Sequence, residues 1–350
     1  MAGWDNMDWT FFKELLEIDS TSGKEREVAE WLLKRLEAPR KEAMEVGDGT
    51  LNLLLTWGTP KVVFCTHMDT VPPYIEPVSE QGVVRGRGAC DAKGQIFALY
   101  TACKALEAEG CTDFGLLLLS GEETGSWGAK AFAKTGFEAP FLIVGEPTEN
   151  KMVSASKGTK SYDLTFKGQA FHSGYPQYGV SAVDLFVDFY NKLKAKDFGM
   201  DPVLGETSWN VGLLHSDNPQ NILSPELTCR VYFRTTFVSD QAVQDWMAQI
   251  PGQAGYDGGC VTPGETGGLR VSARGGDSPA RYVTLPGFPS APASFGTDAP
   301  HLSGFGHKII CGPGSIRHAH RPDEQITVAE LETAVEQYVK MYHALNSFDK

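Results

Sequence analysis

Five short runs of uncharged, mostly aliphatic residues, at 51–55, 62–66, 116–119, 141–144 and 309–311, constrain the fold of this 350-residue chain more than any other feature. Each has the length of a strand and lacks the alternation of a strand with one wet face, so both faces must be covered, as in parallel sheets. Helical patterns at 95–109, 126–134 and 328–345 lie between or after these runs. The combination predicts an α/β fold, a mainly parallel sheet flanked by helices. Two amphipathic helices precede it, one presenting Trp9, Phe12, Leu15 and Leu16 and the next Ala29, Leu32, Leu33 and Leu36. Ser22 and Glu25 have the spacing of a capping box, which predicts a purely structural turn at the start of the second helix.

Between 161 and 273 the pattern changes to alternating strands at 162–166, 210–214, 227–233 and 269–273, with helices at 180–194 and 240–249. A small α+β domain inserted into the larger one fits this. The expected domains are 1–156 together with 279–350, and the insertion 157–278. Gly and Pro crowd 251–268 and 275–296, so both stretches are expected to be loops.

The formal charge of -13, with no basic stripe, argues against nucleic acid and anionic lipid surfaces as partners. No apolar run approaches the ~20 residues of a membrane span, and the first residues lack the basic head of a secretory signal. A cytoplasmic location is the expectation. Seven cysteines, an odd number without a CxxC pair, read as reduced core thiols.

Polar clusters follow the apolar runs almost at once: His67-Met68-Asp69, Gly121-Glu122-Glu123, Gly145-Glu146, and Gly312-Pro313-Gly314 leading to His318 and His320. Sites in open parallel sheets form beyond the carboxyl ends of the strands, so these four clusters can meet at one edge. Their imidazoles and carboxylates suit Zn²⁺, which binds such groups at roughly 2.0 to 2.2 Å, and thiolates are absent from the set. His67 and Asp69 are two apart; on extended backbone they share a side, and Asp69 can accept the second ring N–H of a metal-ligating His67. Asp91 lies in the glycine-rich loop GRGACDAKG, where little bulk keeps two cations from approaching one carboxylate, and it is read as a bridge. That loop lacks the third glycine of a dinucleotide cradle. Glu122 and Glu123 are either a solvated pair or, if extended, a pair pointing apart, one toward metal and one toward the water that metal activates.

Taken in order, HMDTVPP, GRGACDAKG, GEETGS, VGEPTE and GPGS followed by HAHRPDE resemble the zinc-dependent aminoacylase, acetylornithine deacetylase and carboxypeptidase G family along essentially the whole chain. The resemblance implies two Zn²⁺ ions, with Co²⁺ a substitute, bridged by Asp91. It assigns His67 and Glu146 to one ion, Glu123 and His320 to the other, and Glu122 as general acid/base beside Asp69. His318 rivals His320, but the deacetylase pattern places the ligand at His320. It also implies a cis peptide between Asp91 and Ala92. The insertion resembles the family's lid and dimerisation domain, so a homodimer is expected. In QAFHSG, His172 takes the place of a histidine that reaches the partner's site; by itself it reads as a turn residue. Asn221, Arg234 and Thr297 match substrate-holding positions, although Arg234 alone would read equally as an exposed ion-pair residue. The run between the last strand of the insertion and SFGTDAP is shorter than in many relatives. The expected reaction is removal of an acyl group from an N-acyl amino acid, acetylornithine being the leading candidate. A desuccinylase, dipeptidase or carboxypeptidase activity is the alternative, and a noncatalytic binding protein the rival of another class.

Overall fold

A computed structural model describes residues 7–47, 49–253 and 268–347. The chain divides into two compact units: 1–154 with 282–291 and 297–350, and 155–281 with 292–296.

In the first unit a six-stranded sheet runs in the spatial order Arg40–Gly47, Thr50–Gly58, Asp113–Leu119, Val62–His67, Ala139–Val144, Phe305–Ile310. The last four are mutually parallel, and the first two form an antiparallel edge. Every residue of Val62–His67, and all but the first of Asp113–Leu119, is buried. That explains why these strands read as continuous apolar runs: helices cover both of their faces. The helices are α1 (Trp9–Glu17), α2 (Glu25–Arg35), α3 (Lys93–Ala108), α4 (Trp127–Ala133) and, at the end of the chain, α7 (Val328–Asn346). Phe12 of α1 stacks on Phe97 of α3 at 4.8 Å between ring centres, which locks the N-terminal helix to the core. Burying an aromatic ring of this size stabilises by roughly 1.5–3 kcal/mol.

The second unit is a four-stranded antiparallel sheet, ordered Ser208–His215, Glu226–Thr235, Gly158–Lys167, Gly268–Gly275. Helices α5 (Ala182–Ala195) and α6 (Asp240–Gln249) contribute to its core. Tyr162, Leu164 and Phe166 alternate inward from the central strand to meet Phe189, Leu193, Val243 and Met247. The alternating period expected for a one-sided sheet is therefore present here and absent from the first unit.

Three sequence expectations are corrected. Ser22 and Glu25 do not form a capping box: Lys24 occupies the N-cap of α2 without a side-chain bond, and the Ser22 hydroxyl donates instead to Asp69 Oδ2 at 2.9 Å. The stretch 275–296 is not all loop, since Ala280–Arg281 and Ser290–Ala293 are short strands. Of the stretch 251–268, residues 254–267 lie outside the described residues. Glu122 and Glu123 sit in a turn closed by Gly125 N–H donating to Glu122 O at 3.1 Å, not on extended backbone. The six described cysteines are free thiols. No helix among the described residues is long and apolar enough to cross a membrane.

Candidate metal centre

Because the four parallel strands end on the same side, His67, the turn after Leu119, Gly145-Glu146 and the segment after Ile310 converge there. Asp91 stands at the middle. Its Oδ1 lies 3.0 Å from His67 Nε2 and its Oδ2 3.3 Å from His320 Nε2, so one carboxylate faces two imidazoles with different oxygens. His320 Nε2 also lies 2.8 Å from Glu123 Oε1. His67, Asp91 and Glu123 each present a ligand atom within 4.8 Å of the others. Glu146 is buried, and its Oε1 has no hydrogen-bond partner. The structure brings His320, not His318, to Asp91 and Glu123. The Asp91–Ala92 peptide is cis.

Local structure holds each group. The His67 ring is oriented by its Nδ1, 2.9 Å from the main-chain carbonyl of Asp69; the Asp69 carboxylate is further off, at 3.4 Å. With the Nδ1 proton so placed, the lone pair of a neutral His67 is on Nε2, facing Asp91. The Asp69 carboxylate does something the spacing of the sequence did not suggest. It accepts the N–H of Glu122 at 3.0 Å, the N–H of Glu123 at 3.1 Å and the Ser22 hydroxyl, and so organises the whole glutamate turn. Gly312 is required by crowding: a Cβ there would lie 2.2 Å from Gln95 Oε1 and 2.6 Å from the carbonyl oxygen of Glu146.

The electrostatics follow from many acidic groups sharing little solvent. Desolvation pushes the Glu122 and Glu146 carboxyls well above their ordinary range. Asp91 moves the other way: desolvation opposes its ionisation, but hydrogen bonds from His320 and His67 outweigh that and hold it well below the usual carboxylate range. His320 is pushed up to about 10 by its bonds to Asp91 and Glu123. His67 also rises well above the ordinary value; burial would lower it, and Asp69 and Asp91 prevail.

Thr297 is buried in the same unit and its hydroxyl accepts from Ala299 N–H at 3.2 Å. Its neighbour Asp298, which the sequence reading passed over, is buried with Oδ1 unpaired, and desolvation pushes it up to about 6. Ser22, Arg87 and Glu324 were likewise missed as site residues; the conspicuous signal was that Arg87 and Glu324 fall inside the two motifs that carry Asp91 and His320. His172, Asn221 and Arg234 belong to the second unit. There His172 and Asn221 come together: His172 bridges Ile222 on the backbone, Ser173 N–H donates to Asn221 O at 2.9 Å, and His172 Nδ1 accepts from Gly174 N–H at 3.0 Å. The Arg234 guanidinium lies 5.0 Å above the ring of Tyr232.

These residues suit divalent cations. The donors are imidazole nitrogens and carboxylate oxygens, Asp91 offers one oxygen to each side, and Glu146 leaves an unpaired buried oxygen of the kind a metal satisfies. A mainly parallel sheet carrying such a centre beyond its strand ends belongs to the class of metal-dependent hydrolases. Residues 63–269 match the family described as peptidase family M20/M25/M40, and the chain belongs to that family. A peptidase M20 domain-containing protein of Schizosaccharomyces pombe is 32% identical, the match covering 94% of this chain and 82% of that protein. A probable carboxypeptidase of Aspergillus terreus is 30% identical over 96% of this chain and 86% of its own length. The solved structure of an M20 family metallo-carboxypeptidase from Sulfolobus solfataricus superposes with a TM-score of 0.72 at 16% identity, covering 97% of this chain and 99% of that one. The chain is thus a metal-dependent hydrolase acting on amide or peptide bonds.

Proposed function

We propose that the chain is a dinuclear zinc amidohydrolase that releases an amino acid with a free carboxylate from a short peptide or an N-acyl amino acid. The observation that carries this is the Asp91 carboxylate, whose two oxygens face His67 and His320 separately. His67 with Glu146 would hold one cation, Glu123 with His320 the other, and Asp91 both. Bound zinc, or cobalt in its place, supplies Lewis acidity that polarises an amide carbonyl and acidifies water toward neutrality. Glu122, fixed by the Asp69 bond to its N–H, takes the proton of the attacking water and passes it to the leaving amine. Its enclosure, which favours the protonated carboxyl, suits it to hold that proton in transit.

His172, Asn221 and Arg234 are proposed to serve the substrate from the smaller unit, Arg234 as a bidentate partner of the α-carboxylate, and Thr297 from the larger one. A homodimer through the smaller unit is supported by exposed apolar side chains on α5 (Val183, Val187, Tyr190) and on the edge strand (Leu213, Leu214). Peptide hydrolysis is favoured over deacetylation of acetylornithine because the curated relatives include several named as probable carboxypeptidases. A hydrolysis panel of dipeptides, N-acetyl and N-succinyl amino acids on the zinc-loaded chain tests the substrate. Turnover of acetylornithine far above that of any dipeptide would reverse the choice. Glu122→Gln should keep two metal ions per chain while turnover falls by at least about 10²-fold; near-normal activity would remove Glu122 from its role.

A further inference from the structure

Arg87 and Glu324 form an ion pair in which both side chains are almost wholly withdrawn from solvent, at 2% and 1% exposure. Glu324 Oε2 accepts from Arg87 Nη1, while Oε1 accepts the main-chain N–H groups of Cys90 and Asp91, each at 3.0 Å. Arg87 Nε donates to Pro73 O at 3.1 Å, and Nη1 also donates to Arg321 O at 3.3 Å. The Glu324 carbonyl in turn accepts from Gly86 N–H at 3.1 Å. Two segments far apart in sequence, 86–91 and 320–324, are thereby fastened together, and each ends on a side chain of the metal centre, Asp91 and His320.

A buried ion pair is poor evidence of added stability, since well-packed apolar residues often replace one without loss. What apolar residues cannot supply is an acceptor for two adjacent amides and a donor for two carbonyls. The geometry therefore points to registration: the pair sets where the Asp91 backbone stands relative to the turn carrying His320, whose backbone is in the left-handed region at φ 63°. We infer that Arg87 and Glu324 are positioning residues that fix the separation of Asp91 and His320, and with it the affinity of the cation held between Asp91, Glu123 and His320. This rests on the dinuclear reading above. Supporting partners of metal ligands typically contribute about 10- to 100-fold in metal affinity.

The test uses the full chain loaded with Co²⁺. Competition with a chelator gives the two cation affinities, the visible spectrum of bound Co²⁺ reports coordination, and kcat and KM are measured on the best substrate of the panel. Glu324→Gln puts an amide NH₂ against the Arg87 guanidinium, and Arg87→Lys keeps the charge but loses the fork. Each is expected to weaken at least one of the two cation affinities by about 10- to 100-fold, to alter the Co²⁺ spectrum, and to lower kcat more than it raises KM. The double variant Arg87→Met/Glu324→Leu leaves no unpaired buried charge. It is expected to fold, melting below the wild type in chelator because the amides of Cys90 and Asp91 and the carbonyls of Pro73 and Arg321 lose their side-chain partners, and to bind at least one cation more weakly than the wild type, which keeps the question decidable if a single variant fails to fold. Wild-type affinities and spectrum in the folded variants, with any change confined to melting temperature, would overturn the inference. A wild-type chain that binds one cation or none would instead overturn the dinuclear reading itself.

Discussion

Filling the metal centre should expel protons in a number fixed by the geometry around Asp91. In the cation-free chain His320 is pushed up to about 10 by Asp91 and Glu123, and His67 stands well above its ordinary value. His320 is therefore protonated at pH 8, and a cation can take its Nε2 only after that proton has left. That makes one obligatory proton. His67, shifted in the same direction by Asp69 and Asp91, and Glu146, whose carboxyl burial pushes above its usual range, each add up to one more. Histidines with an ordinary pKa of about 6.5 would be only about 3% protonated at pH 8 and would release almost nothing. Water acidified by the cations contributes up to about one proton in either case. The expected release is thus at least about one proton per chain from His320, with His67, Glu146 and water each adding up to about one more, against at most about one, from water, for unperturbed ligands. Calorimetric titration of the chelator-stripped chain with Zn²⁺ at pH 8, in buffers of different ionisation enthalpy, counts them. The overall affinity should accordingly rise by about tenfold or more per pH unit near pH 7.5, each obligatory proton contributing a factor of ten. A release below about one proton would show that His320 is neutral before metal arrives, and the pairing with Asp91 would then not govern the site.

Asp69→Asn leaves one acceptor oxygen for two amides, so either Glu122 or Glu123 loses its N–H partner; chemical denaturation should show a loss of about 1–3 kcal/mol, and turnover should fall with it. Gly312→Ala forces a methyl group against Gln95 and the Glu146 carbonyl, and metal analysis of the purified variant should find fewer ions per chain than in the wild type. Asp298 has a folded-state pKa raised from 3.8 to about 6. Its contribution is nil at pH values below its unfolded pKa, becomes unfavourable as pH rises from there to about 6, and levels off above that. Asp298→Asn should therefore gain on the wild type in chelator as pH rises from 4 to 8. The gain is about 3 kcal/mol, from two units at roughly 1.4 kcal/mol each, and melting curves giving a pH-independent difference would refute it.

Much of the centre was legible because the rule that sites lie beyond the carboxyl ends of parallel strands needs only strand positions and the residues that follow them. His67 and Glu146 each follow an apolar run closely enough for that reasoning to reach them; it left Glu122 with Glu123 and His318 with His320 as alternatives, between which the family resemblance chose. The failures have different causes, of which competition from a partner distant in sequence is one. Ser22 and Glu25 carry a sound local capping pattern, but the Asp69 carboxylate, 47 residues further on, draws the Ser22 hydroxyl away from the helix. Asp69 was expected to orient His67 through its carboxylate; its carbonyl oxygen lies nearer the ring, at 2.9 Å, and the carboxylate, 3.4 Å from the ring, also holds the glutamate turn. Asp298 was invisible because nothing local distinguishes a buried acid from the many exposed ones in an acidic chain.

The acidic excess accounts for the fit of this centre to divalent cations. Asp69, Asp91, Glu122, Glu123, Glu146 and Asp298 are gathered in one unit, where the imidazoles of His67 and His320 face Asp91 and Glu123. Two positive charges cannot neutralise six negative ones where water is scarce, and the fold answers by holding protons: on both histidines, and on the carboxyls that burial has pushed up. Asp91 and Asp69 are exceptions: burial opposes the ionisation of both, but both imidazoles hold Asp91 below the usual carboxylate range, and His67, Ser22 and the Glu122 N–H do the same for Asp69. Two divalent cations would supply the missing charge at the same positions, so protons and metal compete for one set of atoms. Acidification and cation depletion must then move the centre the same way, and Asp91, already ionised before any metal binds, needs no proton removed for the first cation to land.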